Sequence, residues 1–392
     1  MQYDFDTIVD RRGSASIKWD NSKRYTGMEQ LLPLWVADMD FPACTEVIEA
    51  LKRRACHGIF GYTLEPESYY RAVIDWMGRR HKWEIRRDWM VAAPGVIPSL
   101  NLSLLAFSEV GDGVIIQPPV YYPFKESIIN NERRVVENPL RLRGTRYAMD
   151  FDRLEDAIGE RTRLLVLCSP HNPVSRVWSR RELERLVQIC GKHGIVILSD
   201  EIHHDLIMPG HRHIPTASLS AKAAGVTVTL TAGTKTFNLA GLGCSLVIAS
   251  NPMLRKRYQA AQKRIWTGIA NAFSAVAAEA AYRHGASWLE QVLNYVQGNC
   301  EFLAAFLSER LPRARLIPME GTYLAWVDLR ELGFSDEQLK DRILRKARIW
   351  LDDGPMFGTG GEGFQRINLA CPRSTLEQAL EAMAGALSPT PG

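Results

Sequence analysis

Six short apolar runs, at residues 90–93, 113–117, 163–168, 194–200, 226–230 and 243–249, most constrain how this chain can fold. They are apolar throughout instead of alternating, and several are separated by helical stretches. A strand with two apolar faces has to be covered on both. That predicts a mostly parallel sheet inside an α/β structure. In such sheets ligands bind beyond the carboxyl ends of the strands. Asn172, Asp200, His203 and Lys235 all follow those ends here.

Helical spacing supports the same reading. Residues 45–56 carry an apolar stripe at Val47, Ile48, Leu51 and Ala55, with Thr45 as the expected N-cap. A second helix is expected over residues 67–81. A third runs over 179–193, where Ser179 and Glu182 form a capping box. Residues 270–311 read as long helix. Beyond them a smaller α/β unit follows, with strands near 322–329 and 363–370 and helices near 335–347 and 375–387. The expected organisation is an N-terminal arm over residues 1–45, a large domain over 46–280 and a small C-terminal domain over 281–392. The arm is rich in Asp, Arg, Trp and Pro and lacks periodicity. It reads either as an extended surface segment or as one that helps close a pocket.

Composition narrows the class of protein. Formal net charge is +4 over 392 residues, with no basic stripe interleaved with aromatics, so nucleic acid is not an expected partner. No apolar run reaches the length of a membrane span, so no membrane partner is expected either. The seven cysteines are scattered and odd in number, with no CxxC pair. That argues against a disulfide framework and against a zinc site, and no metal is expected. It fits a reducing cytoplasm.

Lys235 is the centre of the reading. It lies after a buried strand in a segment otherwise poor in charge, with Asn238 and Gly241 as turn residues. A partly enclosed lysine has a lowered pKa and forms Schiff bases with carbonyl compounds. Asp200, after Ile-Val-Ile-Leu-Ser, is an acid that needs a cationic partner if buried. The strand–turn–helix around Gly95, Val96 and Ile97 offers backbone N–H groups and a helix dipole to an anion.

This set resembles the fold-type I pyridoxal-phosphate enzymes. It is most similar to the MalY/PatB-type cystathionine β-lyase (carbon–sulfur lyase) branch of the class-II aminotransferase-like family. The resemblance runs almost end to end. It is carried by Phe5-Asp-Thr-Ile-Val-Asp-Arg with Trp19-Asp20, Ala37-Asp-Met-Asp-Phe-Pro, Gly58-Ile-Phe-Gly-Tyr, Ser169-Pro-His-Asn-Pro, Ser199-Asp-Glu-Ile-His, Lys235-Thr-Phe-Asn and Arg366-Ile-Asn-Leu-Ala-Cys-Pro-Arg-Ser.

The resemblance implies an aspartate aminotransferase-like fold with pyridoxal 5'-phosphate as cofactor. Lys235 would bind the cofactor covalently and move the Cα proton. Asp200 would pair with the pyridine nitrogen, and Asn172 and His203 with the ring oxygen. Tyr121 would stack on the ring, with Tyr122 as its rival. Gly95, Val96, Ile97, Thr231 or Thr234 would hold the phosphate. Tyr62 would reach the neighbouring subunit's site in a homodimer with shared active sites; its bland alternative is a core position. Arg366 would grip the substrate carboxylate, with Arg373 as rival, and Asp38 would line the entrance beside Tyr62 and Tyr121. The implied reaction cleaves the C–S bond of cystathionine or another cysteine S-conjugate, including a specialised metabolite, to thiol, pyruvate and ammonia. Residue types alone leave open an aminotransferase, a decarboxylating or oxidatively deaminating variant, and a regulatory protein without turnover.

Three positions depart from the pattern of the larger group. Ala232 replaces a hydroxyl residue three before the lysine, and Gly243 replaces an arginine eight after it. Val174-Ser-Arg176 replaces Thr-Gly-Lys after Asn172-Pro173.

Overall fold

The computed structural model describes residues 2–267 and 270–388. Its large sheet has seven strands: β1 (Met90–Ala93), β2 (Gly113–Ile116), β3 (Arg134–Glu137), β4 (Thr162–Cys168), β5 (Val196–Asp200), β6 (Thr227–Thr231) and β7 (Ser245–Ile248). Their spatial order is β1-β7-β6-β5-β4-β2-β3. Only β7 runs against its neighbours; all the other pairs are parallel. The carboxyl ends of β1, β2, β4, β5 and β6 therefore share one edge. The chain leaves that edge at Gly95, Tyr121, Asn172, His203 and Lys235.

Period-two alternation explains why both faces are apolar. Leu164, Val166 and Cys168 of β4 pack in a core with helix α3 (Val96–Phe107), whereas Leu165 and Leu167 join the core under α5 (Arg180–Lys192). The Ser179–Glu182 capping box at the start of α5 makes both of its reciprocal bonds. A second, four-stranded antiparallel sheet holds β8 (Arg315–Leu316), β9 (Leu324–Asp328), β10 (Asp352–Asp353) and β11 (Phe364–Asn368), in the order β8-β9-β11-β10. No helix among the described residues is long and apolar enough to cross a membrane.

Three local expectations are corrected. Helix α1 spans Thr45–Cys56, with Cys44, not Thr45, at the N-cap, and no side-chain cap bond forms there. Helix α2 is regular only over Glu67–Trp76 and continues as a wider π turn over Met77–His81. The long helical stretch divides into α6 (Ser274–His284) and α7 (Ala286–Arg310) at Gly285. A Cβ on Gly285 would lie 2.6 Å from both the Ala281 carbonyl and the Phe237 ring, so only glycine fits that joint.

The N-terminal arm divides: residues 6–17 and 23–30 lie mostly at the surface, whereas Phe5, Lys18 and the stretch 31–44 are largely buried. Phe5, Leu34, Met39 and Phe41 are buried in the largest core cluster. Lys18 is fully buried, its ammonium 2.7 Å from Asp40. Arg11 forks onto Asp38 and also reaches Asp40. Aromatic anchors and paired charges hold this segment instead of a repeating apolar stripe, which is why periodicity misses it.

Candidate active site

Lys235 rides on the connection from β6 to antiparallel β7. Asn238, in the left-handed region at φ 56°, pins that connection to the arm. Its Oδ1 accepts the Met39 N–H, and its Nδ2 donates to the Met39 and Phe41 carbonyls. The Lys235 ammonium donates to the Ala37 carbonyl, which also accepts from the Tyr323 hydroxyl at 2.9 Å. Burial pushes Lys235 down to about 8, against the opposing field of Asp38. Burial works to raise the Asp38 carboxyl, but the bond from Arg11 and the charge of Lys18 outweigh it and hold it low.

Asp200 closes β5 and is 4 % exposed. Its carboxylate accepts one hydrogen bond among the described residues, from the Ile202 N–H at 3.1 Å. Burial pushes it up to about 7, with the Lys235 charge opposing. His203 is buried and its Nδ1 has no partner among the described residues. Burial holds its pKa well below the ordinary value, reinforced by Lys235 and Arg366. Tyr121 is held above its ordinary value by burial and feels the fields of Arg366 and Asp200. Tyr122 turns instead toward Phe357, with ring centroids 6.2 Å apart.

Arg366, in the middle of β11, is 2 % exposed. One Nη donates to Asn172 Oδ1 at 2.8 Å; the other donates to the Trp35 carbonyl and pairs with Asp352. Its Nε has no partner among the described residues. Burial raises Asp352 to about 6, with Arg366 opposing. The rival arginine, Arg373, donates to Asn299 at 2.7 Å and packs over Phe302 on α7.

Gly95 is the N-cap of α3, whose first residues are Val96 and Ile97. N–H groups in a first helical turn have no partner within the helix, and Pro98 has none to offer. Thr231 is buried with its hydroxyl 2.9 Å from His204 Nδ1. The Thr234 hydroxyl makes no hydrogen bond among the described residues, which leaves it the freer of the two. Tyr62 is 96 % exposed, so it is not a core residue.

The departures have packing reasons. Gly243 sits at φ +56° with Pro94 O 3.3 Å from where its Cβ would be, a position hostile to arginine. Ala232 is buried in the core under α3. Arg176 is a joint: its guanidinium binds Glu320, Glu182 and the Tyr147 carbonyl.

Sequence reasoning missed Asp205. It is fully buried and collects Trp76 Nε1 at 3.0 Å, His81 Nε2 at 2.8 Å and the Thr236 hydroxyl at 2.9 Å. Arg80 and His204 Nε2 lie 3.1 Å away. Through Thr231 and Thr236 this cluster grips the chain on both sides of Lys235. The signal was the acid- and histidine-rich exit of β5, residues 200–205. His81, His204 and Asp205 lie close enough to bind a metal, but Arg80 already stands on the same carboxylate oxygen and balances its charge.

The site fits pyridoxal phosphate. A buried carboxylate with one hydrogen-bond donor, an unpartnered buried histidine and a lysine shifted toward neutrality converge at one strand edge. Comparison with known proteins agrees: the model for aminotransferase class I and II matches residues 29–383. The chain belongs to the class I and II aminotransferase family. Within it, the chain is 42% identical to the Bacillus subtilis cystathionine β-lyase PatB, over 98% of this chain and 100% of that protein. It is 33% identical to protein MalY of Escherichia coli K12, over 98% and 99%. Treponema denticola cystalysin, whose crystal structure contains pyridoxal 5'-phosphate, superposes with a TM-score of 0.95 at 38% identity, over 99% of both chains.

Proposed function

We propose that this protein is a pyridoxal-phosphate-dependent carbon–sulfur β-lyase acting on L-cystathionine or another cysteine S-conjugate. The observation that carries the reading is full-length similarity to cystathionine β-lyases combined with Lys235 poised near neutrality opposite Asp200. In the reaction the substrate loses its Cα proton and the Cβ–S bond breaks. The sulfur leaves as a thiol, and one water is consumed in forming pyruvate and ammonia. The cofactor, when bound, supplies an electron sink for the charge left on Cα.

The chain's residues divide the remaining work. Lys235 anchors the cofactor, then takes the Cα proton in its neutral form. Asp200 holds a positive charge on the pyridine nitrogen, and Asn172 and His203 orient the ring oxygen. Tyr121 covers the ring face. The Gly95–Val96–Ile97 turn and Thr234 hold the phosphate, with Thr231 fixing the loop from beneath. Arg366 binds the α-carboxylate. Asp38 tunes Lys235 from the entrance. The arm, large domain and small domain divide near residues 45 and 280.

A second copy completes the site. Ile59, Phe60, Tyr62 and Leu64 leave one short segment with four exposed large apolar side chains, and a homodimer covers them while delivering Tyr62 to its partner's phosphate. Seven free cysteines suit a cytoplasmic location. The test is release of pyruvate and thiol from L-cystathionine by the holoenzyme without any keto acid. Turnover that requires a keto acid would establish transamination instead. No turnover under either condition would remove both readings.

A further inference from the structure

A cavity of about 870 Å³ lies between the arm and the C-terminal segment 337–356. Its inner wall belongs to the site: Asp352 pairs with Arg366, the Trp35 carbonyl accepts from Arg366, and Tyr122 lies 5.4 Å from Tyr121, ring to ring. Its outer part is aromatic. The Trp35 and Trp350 rings stack at 4.0 Å, and Tyr25 stands within 6 Å of both. The two indoles spend one face each on the other, and with Tyr25 and Tyr122 they line the cavity; a ring face left open to the cavity stabilises a cation.

The charges on the same wall have one sign once pairs are removed. Lys340 pairs with Asp353 at 3.6 Å and Arg345 with Asp341 at 3.8 Å. Asp352 is committed to Arg366. Glu126 and Glu337 remain, with no cationic partner among the described residues. The cavity thus offers aromatic faces and two uncompensated carboxylates beside the group that would hold the substrate's α-carboxylate.

We infer that this cavity is the leaving-group subsite and that it selects cysteine S-conjugates whose thiol portion carries a positive charge, such as an ammonium or a protonated heteroaromatic ring. The inference rests on the lyase reading. An anionic leaving group meets Glu126 and Glu337 directly and is rejected, because like charge facing like charge opposes binding. A neutral alkyl group gains the aromatic contacts only.

The test compares S-aminoethyl-, S-propyl- and S-carboxyethyl-L-cysteine on the holoenzyme, with pyruvate and free thiol as readouts. The expected order of kcat/KM is aminoethyl above propyl above carboxyethyl, with about a tenfold span between the extremes. In the double variant E126Q/E337Q that span collapses. Trp350→Ala lowers kcat/KM for the aminoethyl substrate more than for the propyl one. Equal use of all three substrates, a preference for carboxyethyl, or an unchanged span in E126Q/E337Q would overturn the subsite. Absence of pyruvate from every substrate would instead remove the lyase reading, so the two failures are distinct.

Discussion

Asp200 and Asp205 lie five residues apart at the exit of one strand, and both are buried, yet their surroundings are opposites. The Asp205 carboxylate is hydrogen-bonded by Trp76, His81 and Thr236 and lies at ion-pair distance from Arg80 and His204. Those partners overcome burial, which alone would raise its pKa, and hold it well below the usual carboxylate range. Asp200 has one N–H and a distant lysine, and burial wins. A buried charge that is fully partnered is part of the scaffold. A buried charge left short of partners has room for one, and in the proposed function that partner is a cationic ring nitrogen.

The largest separation between the two comes from removing each charge. Asp205→Asn strips a buried cluster of its anion and strands Arg80 and His204, so thermal or urea unfolding should show a loss of about 3–5 kcal/mol. Asp200→Asn should leave the apoprotein at least as stable, because it deletes an unpaired buried charge. Its cost falls on turnover, about 10²–10³-fold in kcat. If both variants lose stability equally, the contrast is void.

Acid and alkali probe the same contrast with opposite signs. The folded Asp200 carboxyl titrates near 7 and its unfolded counterpart near 3.8. Between those values the folded apoprotein binds the extra proton, so the Asp200 contribution to stability falls as pH rises from about 4 to 7. Asp205 is depressed, so its contribution is complete above about 4 and is lost as pH drops below that. Difference curves of wild type against each asparagine variant should slope in these opposite directions. The smallest effect belongs to Asp38, whose charge props up the Lys235 pKa. In Asp38→Asn apoprotein, the pH midpoint for labelling Lys235 with an aldehyde and borohydride should move below that of the wild type.

The sequence made one of these two aspartates legible and not the other. Asp200 follows an unbroken apolar run, and an acid in that position is conspicuous. Asp205 lies beyond the strand, in a stretch that also suits a polar surface turn, and apart from the adjacent His204 its partners come from residues 76–81 and 236. Nothing local brings those together. The parallel sheet was readable because both faces of each strand are apolar, and the capping box at Ser179 because its signal spans four residues. The buried parts of the arm were not, because Phe5 packs on Trp288 and Tyr295 from far along the chain and Lys18 finds Asp40 without any repeating spacing. Arg366 could be matched by motif, but its grip on Asn172 and the Trp35 carbonyl depends on how two sheets meet.

That grip has a consequence for the order of events as the chain is made. Arg366 ties residue 35 to residue 172, and Ala37 is tied to Lys235 and Tyr323. A nascent chain emerging from the ribosome holds the reactive lysine long before it holds the arginine that finishes the pocket. Lys235 therefore gains the enclosure that lowers its pKa only after more than nine-tenths of the polypeptide has been synthesised, so its reactivity arrives as a closing step of folding.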